Sequence, residues 1–343
     1  MSLTGAERVL TVLDRREPDR VPTFEWDIDP DFIAETTRGG GYHDFIERFD
    51  HDAVVCGADY RKTPLADGTF RDEWGVTRRP GFEAYAMPVD ALAPVKSWPD
   101  LESWQPPEAL CDERFRSLAE FVARYKGRRA VIFRVRDVWS GPRELMGYEE
   151  LMVQCLEAPE LVDRLVTLCV DHSIALMERA AAMGADLVMS GDDIADNHGP
   201  LISPALWESL FLPHFRRFER ALHACGLRHW KHSDGNIRPL LGSLVDAGID
   251  GIDPVDPLGG MDLGETKREW GGRVAVKGNI DCVELLVRGT PEGVERAVRD
   301  AIRAAGPGGG YVCSTSNSIH KGVRPDLYAA MVEAIRTHGR YPL

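Results

Sequence analysis

His232 and Asp234 stand two residues apart in Trp230-Lys231-His232-Ser233-Asp234-Gly235-Asn236. On an extended segment, side chains with that spacing leave the same face. An imidazole and a carboxylate converging there can bind a metal ion, or can work as a proton-transfer pair. Upstream, Gly226-Leu-Arg-His-Trp230 reads as a strand. Downstream, Ile237, Leu240, Leu241, Leu244 and Val245 recur with the spacing of one helix face. The pair therefore belongs where a strand ends and a helix begins.

Other ionisable and amide side chains fall at comparable places: Glu25 and Asp27, Asp59, Arg134 and Arg136 with Asp137, Asp192 and Asp193, Asp253, Asn279, and Asn317. So many acids near one opening repel each other unless a cation, a proton or a positively charged substrate offsets them. The expectation is that His232, Asp234, Arg134 and Asp192 carry the chemistry. Glu25, Asp27, Asp59, Arg136, Asp193, Asn279 and Asn317 are expected to contact a small-molecule substrate. Any divalent metal is expected on His232, Asp234 and Glu25. Asp196 and Asp281 read as structural.

The elements that position these groups alternate. Strands are expected near residues 21, 52, 130, 186, 227, 249, 274 and 311, most of them followed by a helix. Val21 to Asp29 is the first strand. Eight such units predict a (β/α)8 TIM barrel, in one domain over 1–343, with its site at the C-terminal strand ends. The alternative, an open doubly wound sheet, lacks a Gly-x-Gly-x-x-Gly turn after any strand. Residues 67 to 89 break the alternation and read as an inserted antiparallel β-hairpin. There is no zinc-type Cys/His spacing, no Gly-x-Ser-x-Gly elbow, no Walker loop and no His-Glu-x-x-His helix.

Composition narrows the function classes. A formal net charge of −14 argues against nucleic acid and against anionic membrane surfaces. No run approaches the ~18 apolar residues of a membrane span. The seven cysteines are scattered, without a Cys-x-x-Cys pair, which suits reduced thiols in a cytoplasm.

Several stretches together resemble the uroporphyrinogen decarboxylase (URO-D) superfamily. They are Thr4-x-x-Glu7-Arg8-Val9, Pro18-Asp-Arg-Val-Pro22, Asp72-Glu-Trp-Gly-Val76, Ser203-Pro204, His232-x-Asp234-Gly235, and Gly308-Gly-Gly-Tyr-Val-Cys-Ser-Thr-Ser-Asn317 with Gly322-Val. The resemblance implies a (β/α)8 barrel that is either a porphyrinogen decarboxylase or a corrinoid-dependent methyltransferase. Decarboxylases of this family carry an arginine-rich Arg-Gln-Ala-Gly-Arg-Tyr at the first strand. Here Thr23-Phe-Glu-Trp-Asp-Ile-Asp29 is acidic. The Asp72-Glu-Trp-Gly-Val76 stretch is similar to the methyltransferase branch. Thiol-methylating members of that branch hold zinc with His-x-Cys and a later Cys. His232 matches the histidine, Asp234 replaces the first cysteine, and Asn317 stands near the second. The resemblance thus implies an enzyme that moves a methyl group from a small O- or N-methyl substrate to a separate corrinoid protein, with either a divalent metal such as zinc or a protonated acid at the leaving atom; a homodimer is the expected assembly. A decarboxylase of a porphyrinogen, or a non-catalytic tetrapyrrole-binding barrel, is the alternative.

Overall fold

The computed structural model describes residues 2–81 and 86–343. Its centre is a curled sheet of seven parallel strands. They are β1 (Ala53–Gly57), β6 (Ala130–Val135), β7 (Leu187–Gly191), β8 (His229–His232), β9 (Gly251–Asp253), β10 (Ala275–Ile280) and β11 (Tyr311–Thr315), paired in that order. Four short strands, β2 (Lys62–Pro64), β3 (Phe70–Asp72), β4 (Thr77–Arg79) and β5 (Met87–Pro88), form a separate antiparallel sheet after β1. This sheet begins before the expected hairpin and has four strands. Phe82 to Tyr85 of that hairpin lie outside the described residues.

The expected first strand is a correction. Val21 to Asp29 runs between the two edge strands without joining a ladder, so the ladder has seven strands and not eight. The Asp52 N–H donates to the Thr23 carbonyl at 2.9 Å, and the Cys313 N–H donates to the Pro22 carbonyl at 3.1 Å. The physical reason lies in the donors. Pro22 has no N–H. The Thr23 N–H is taken by the Asp52 carboxylate at 2.9 Å, and the Ile28 N–H by the Asp27 carboxylate at 3.0 Å. On the β1 side, the Val55 N–H that a regular neighbour would accept is capped by the Tyr42 hydroxyl at 3.0 Å.

Strand side chains alternate between two apolar clusters. Inside the curl lie Ala130, Ile132, Leu187, Met189, Trp230, Ala275, Val312 and Phe24. The helix Gly5–Leu13 closes the N-terminal end of this interior with Ala6, Val9, Val12 and Leu13. Thr4 caps that helix in a capping box with Glu7. Outside, Val131, Phe133, Val188, Ile252, Val276 and Tyr311 pack against the surrounding helices. Among these helices are Pro159–Met183, Leu212–Ala224 and Pro325–His338. Among the described residues no helix is long and apolar enough to cross a membrane.

The interior is filled by indoles that depend on missing side chains. A Cβ at Gly251 would lie 2.2 Å from the Trp230 ring, and a Cβ at Gly191 would lie 2.3 Å from the Trp26 ring. Gly251→Ala is therefore an overpacking substitution. It is expected to lower unfolding stability by about 1–3 kcal/mol. The measurement is the denaturant midpoint, and an unshifted midpoint would show that Trp230 does not fill the space beside Gly251.

Candidate active site

The parallel strands end in one acidic mouth. His232 is the last residue of β8 and points to the inside of the curl, as Trp230 does two residues earlier. Its Nδ1 lies 2.7 Å from Asp253 Oδ2, at the end of β9. Asp253 Oδ1 accepts from Lys277 Nζ of β10 at 2.5 Å. All three groups are buried. Burial favours a neutral Asp253 carboxyl, but the Lys277 ammonium and the His232 hydrogen bond outweigh it and hold its pKa below the ordinary value. Burial likewise lowers the His232 pKa. The Asp253 hydrogen bond and the charges of Asp234, Asp253 and Asp193 reverse that, and the imidazole ends raised.

The other ring nitrogen faces two carboxylates. His232 Nε2 is 3.6 Å from Asp234 Oδ1 and 3.7 Å from Asp193 Oδ1. Asp234 Oδ2 accepts from Asn317 Nδ2 at 2.7 Å, while its Oδ1 is buried without a hydrogen-bond partner. Burial, with Asp193 adding to it against the pull of His232, pushes the Asp234 carboxyl up to about 7. Asp193, His232 and Asp234 each offer one ligand atom within 4.8 Å of the others. Two ligands at about 2.1 Å from an ion, opened to 110–120°, are about 3.4–3.6 Å apart. The spacing and the orphaned Asp234 oxygen fit a divalent cation with nitrogen and oxygen donors. Asp253 then supplies the outer hydrogen bond that fixes the tautomer of a ligating histidine.

Trp26 covers this histidine. The two rings stack with centroids 4.4 Å apart and planes 12° from parallel. The Arg134 guanidinium lies 5.1 Å from the Trp26 ring centre and pairs with Asp27 at 2.9 Å. A cavity of about 130 Å³ adjoins them, walled by Glu25, Trp26, Asp27, Tyr42, Val55 and Arg134.

The remaining expected residues lie outside the ligand cluster, Glu25 among them although it lines that cavity. Glu25 Oε2 accepts from the Thr315 hydroxyl at 2.6 Å, and its Oε1 accepts from Tyr328 of the helix Pro325–His338 at 3.1 Å. Asp59 accepts from both the N–H and the hydroxyl of Ser117, at 2.8 and 2.7 Å. Asn279 lines a separate open groove with Pro257, Met261 and Arg268. Asp192 is fully buried and accepts from the N–H groups of Asp137 and Trp139 at 3.0 and 2.8 Å. Arg136 donates to the Gly191 carbonyl and to Glu144, which also binds Arg78 of β4. Asp196 and Asp281 accept from nearby backbone N–H groups. Lys277 and Trp26 are site groups that the sequence does not single out, and Asp253 is recognised there only as a strand-end acid without a role. Strand alternation was their signal, because it pairs Phe24 with Trp26 and Ala275 with Lys277 on the inner face.

Residues 29–338 match the family model described as Uroporphyrinogen decarboxylase (URO-D). The uroporphyrinogen decarboxylase of Xylella fastidiosa is 28% identical over 202 residues, 56% of this chain and 54% of that protein. The one from Dechloromonas aromatica is 27% identical over 201 residues, 56% of this chain and 53% of that protein. The chain thus spans about half the length of these curated relatives. A solved structure titled methyltransferase from Methanosarcina mazei superposes with a TM-score of 0.72 at 16% identity, over 98% of this chain and 99% of that one. That likeness is one of fold.

Glu25 makes a prediction about pH. Burial, opposed by Lys277 and by the Thr315 and Tyr328 hydrogen bonds, pushes its carboxyl up to about 7 from 4.5. A raised folded-state pKa means that the neutral form stabilises the fold fully below the unfolded pKa, and that this is lost as pH rises towards the folded value. The loss falls between about pH 4.5 and 7 and is of order 3 kcal/mol. Glu25→Gln is expected to remove that slope. Chemical denaturation of both proteins from pH 4.5 to 8 should show the variant gaining on the wild type and then levelling off. A constant difference across the range would contradict the assignment.

Proposed function

Because the chain belongs to the uroporphyrinogen decarboxylase (URO-D) family, we propose that it is an enzyme of the methyltransferase kind. It takes a methyl group from a small O- or N-methylated substrate and delivers it to a reduced corrinoid on a separate protein. The observation that carries this reading is the cluster of His232 Nε2, Asp193 and Asp234 at the strand ends, with His232 held from behind by Asp253.

In such a transfer the bond from the methyl carbon to oxygen or nitrogen breaks. The carbon bonds to the acceptor, and the leaving atom keeps the electron pair and takes up a proton. Stabilisation is needed where that negative charge develops. A divalent ion such as zinc, held by His232, Asp193 and Asp234, would supply Lewis acidity at that atom. The chain's own groups do the rest. Asp253 orients the imidazole, and Lys277 keeps Asp253 ionised. Asn317 fixes one oxygen of Asp234 so that the other stays aimed at His232. Trp26 shields one face of the imidazole from water.

Decarboxylation of a porphyrinogen has less support. Its carboxylates need unpaired cations, whereas Arg134 is bound to Asp27 and Arg136 to Glu144. Two acids, Asp193 and Asp234, also face the opening beside His232.

The test is methyl transfer from methoxy and N-methyl compounds to a supplied reduced corrinoid protein, with and without chelator. His232→Ala is expected to lower the rate by about 10²–10⁴-fold, and chelation of the wild type should do the same. Equal rates in the His232→Ala variant and the wild type would overturn the reading. So would efficient conversion of uroporphyrinogen to coproporphyrinogen.

A further inference from the structure

Behind the mouth, on the face of the strands turned away from His232, lies a second set of buried charges. Lys231 is fully buried on β8. Its Nζ has three donors and meets three acceptors. They are the Asp192 carbonyl at 2.7 Å, the His232 carbonyl at 3.0 Å and the Asp137 carboxylate at 2.9 Å. Asp137 follows β6, Asp192 follows β7, and His232 ends β8. One ammonium thus gathers three successive strand ends. The Asp192 N–H also donates to the His232 carbonyl, at 3.3 Å. The next residue after Asp192 is Asp193.

Asp137 is itself fixed from outside. Its Oδ2 accepts from the Ser190 hydroxyl at 2.7 Å, that hydroxyl lies 2.8 Å from His229 Nε2, and His229 Nδ1 lies 2.6 Å from Glu219. Burial alone would neutralise Asp137, and the Lys231 ammonium reverses that. These contacts bear on the site because two of its three groups come from neighbouring strands. The gap of 3.7 Å between His232 and Asp193 is set by how the ends of β7 and β8 are spaced. The regular ladder stops at Gly191 and His232; beyond it the Lys231 contacts, the Ile194 N–H to Ser233 Oγ bond at 3.1 Å and the Asp234 N–H to Asp193 Oδ1 bond at 3.2 Å continue the tie.

We propose that Lys231 and Asp137 are positioning residues that set the separation of Asp193 from His232, and so the affinity and coordination geometry of the ion held there. The proposal rests on the metal reading given above. Neither residue touches the ligand atoms. A groove that opened by a few tenths of an ångström would still fold, but would hold its ion with poorer geometry. Supports of this kind typically contribute about 10–100-fold to metal affinity.

The experiment titrates Co²⁺, whose visible bands report coordination, into the full chain after chelator treatment. The variants are the charge-neutral double substitution Asp137→Asn with Lys231→Met, the milder Ser190→Ala, and Arg8→Met as a control. Arg8 pairs with Asp52 at the opposite end of the strands. The double variant is expected to bind Co²⁺ about 10–100-fold more weakly, with shifted bands. Arg8→Met should lose stability but keep affinity and spectrum. Unchanged affinity and bands in the double variant overturn the proposal, as does the same loss in Arg8→Met at equal melting temperature. If the double variant does not fold, Ser190→Ala decides, by a smaller loss in the same direction or by none. A wild type that takes up no Co²⁺ overturns the metal reading instead. The positioning claim then stands or falls on the His232 imidazole NMR resonances, which must move in the double variant.

Discussion

One buried carboxylate, Asp253, divides its two oxygens between a histidine and a lysine. Lys277 holds one oxygen and His232 the other. Removing the lysine would leave an uncompensated charge in the interior. Removing the carboxylate would strand a buried ammonium, a change that typically costs about 3–5 kcal/mol. The arrangement persists because both partners lie on inner-facing positions of adjacent strands, within reach of each other and away from water. It also gives the imidazole an orientation before any ligand arrives. The free ring nitrogen must then face the mouth, where Asp193 and Asp234 wait.

Charge matching extends around the opening. Asp27 is answered by Arg134, Glu144 by Arg78 and Arg136, and Asp137 by Lys231. After these pairings Asp193 and Asp234 remain, with an imidazole between them and one carboxylate oxygen lacking any hydrogen bond. Two carboxyl groups without a cationic side chain of their own, in an otherwise paired mouth, are what the proposed divalent ion would answer.

Much of this was legible in the chain. The spacing of His232 and Asp234 placed them on one face at a strand end, and Asn317 does meet Asp234. The positions of seven parallel strands followed from apolar runs between helical patterns. The first segment misled because Thr23 to Asp29 alternates like a strand, while Pro22 and two carboxylates divert the amide donors that a ladder needs. Glu25 misled for a related reason. It stands at a strand-like end, but Phe24 and Trp26 take the inner positions and turn it towards Tyr328. Asp192 and Asp193 divide the same way, one behind the sheet and one in the mouth. Identity at the end of a strand is readable from sequence; facing is fixed only by register, which a shift of one residue inverts.

The Trp26 indole occupies the space that a side chain at position 191 would fill. These two residues come from segments far apart in the chain, and neither can be judged alone. An alanine at 191 is compatible only with a smaller ring, no ring or a displaced indole at 26, and each of these would uncover the imidazole of His232. Among homologues, then, the two positions should change together, so that a paired replacement marks a lineage whose mouth has been reshaped. An isolated bulky residue at 191 beside a retained tryptophan would mark a chain in which the indole has left the histidine and turned elsewhere.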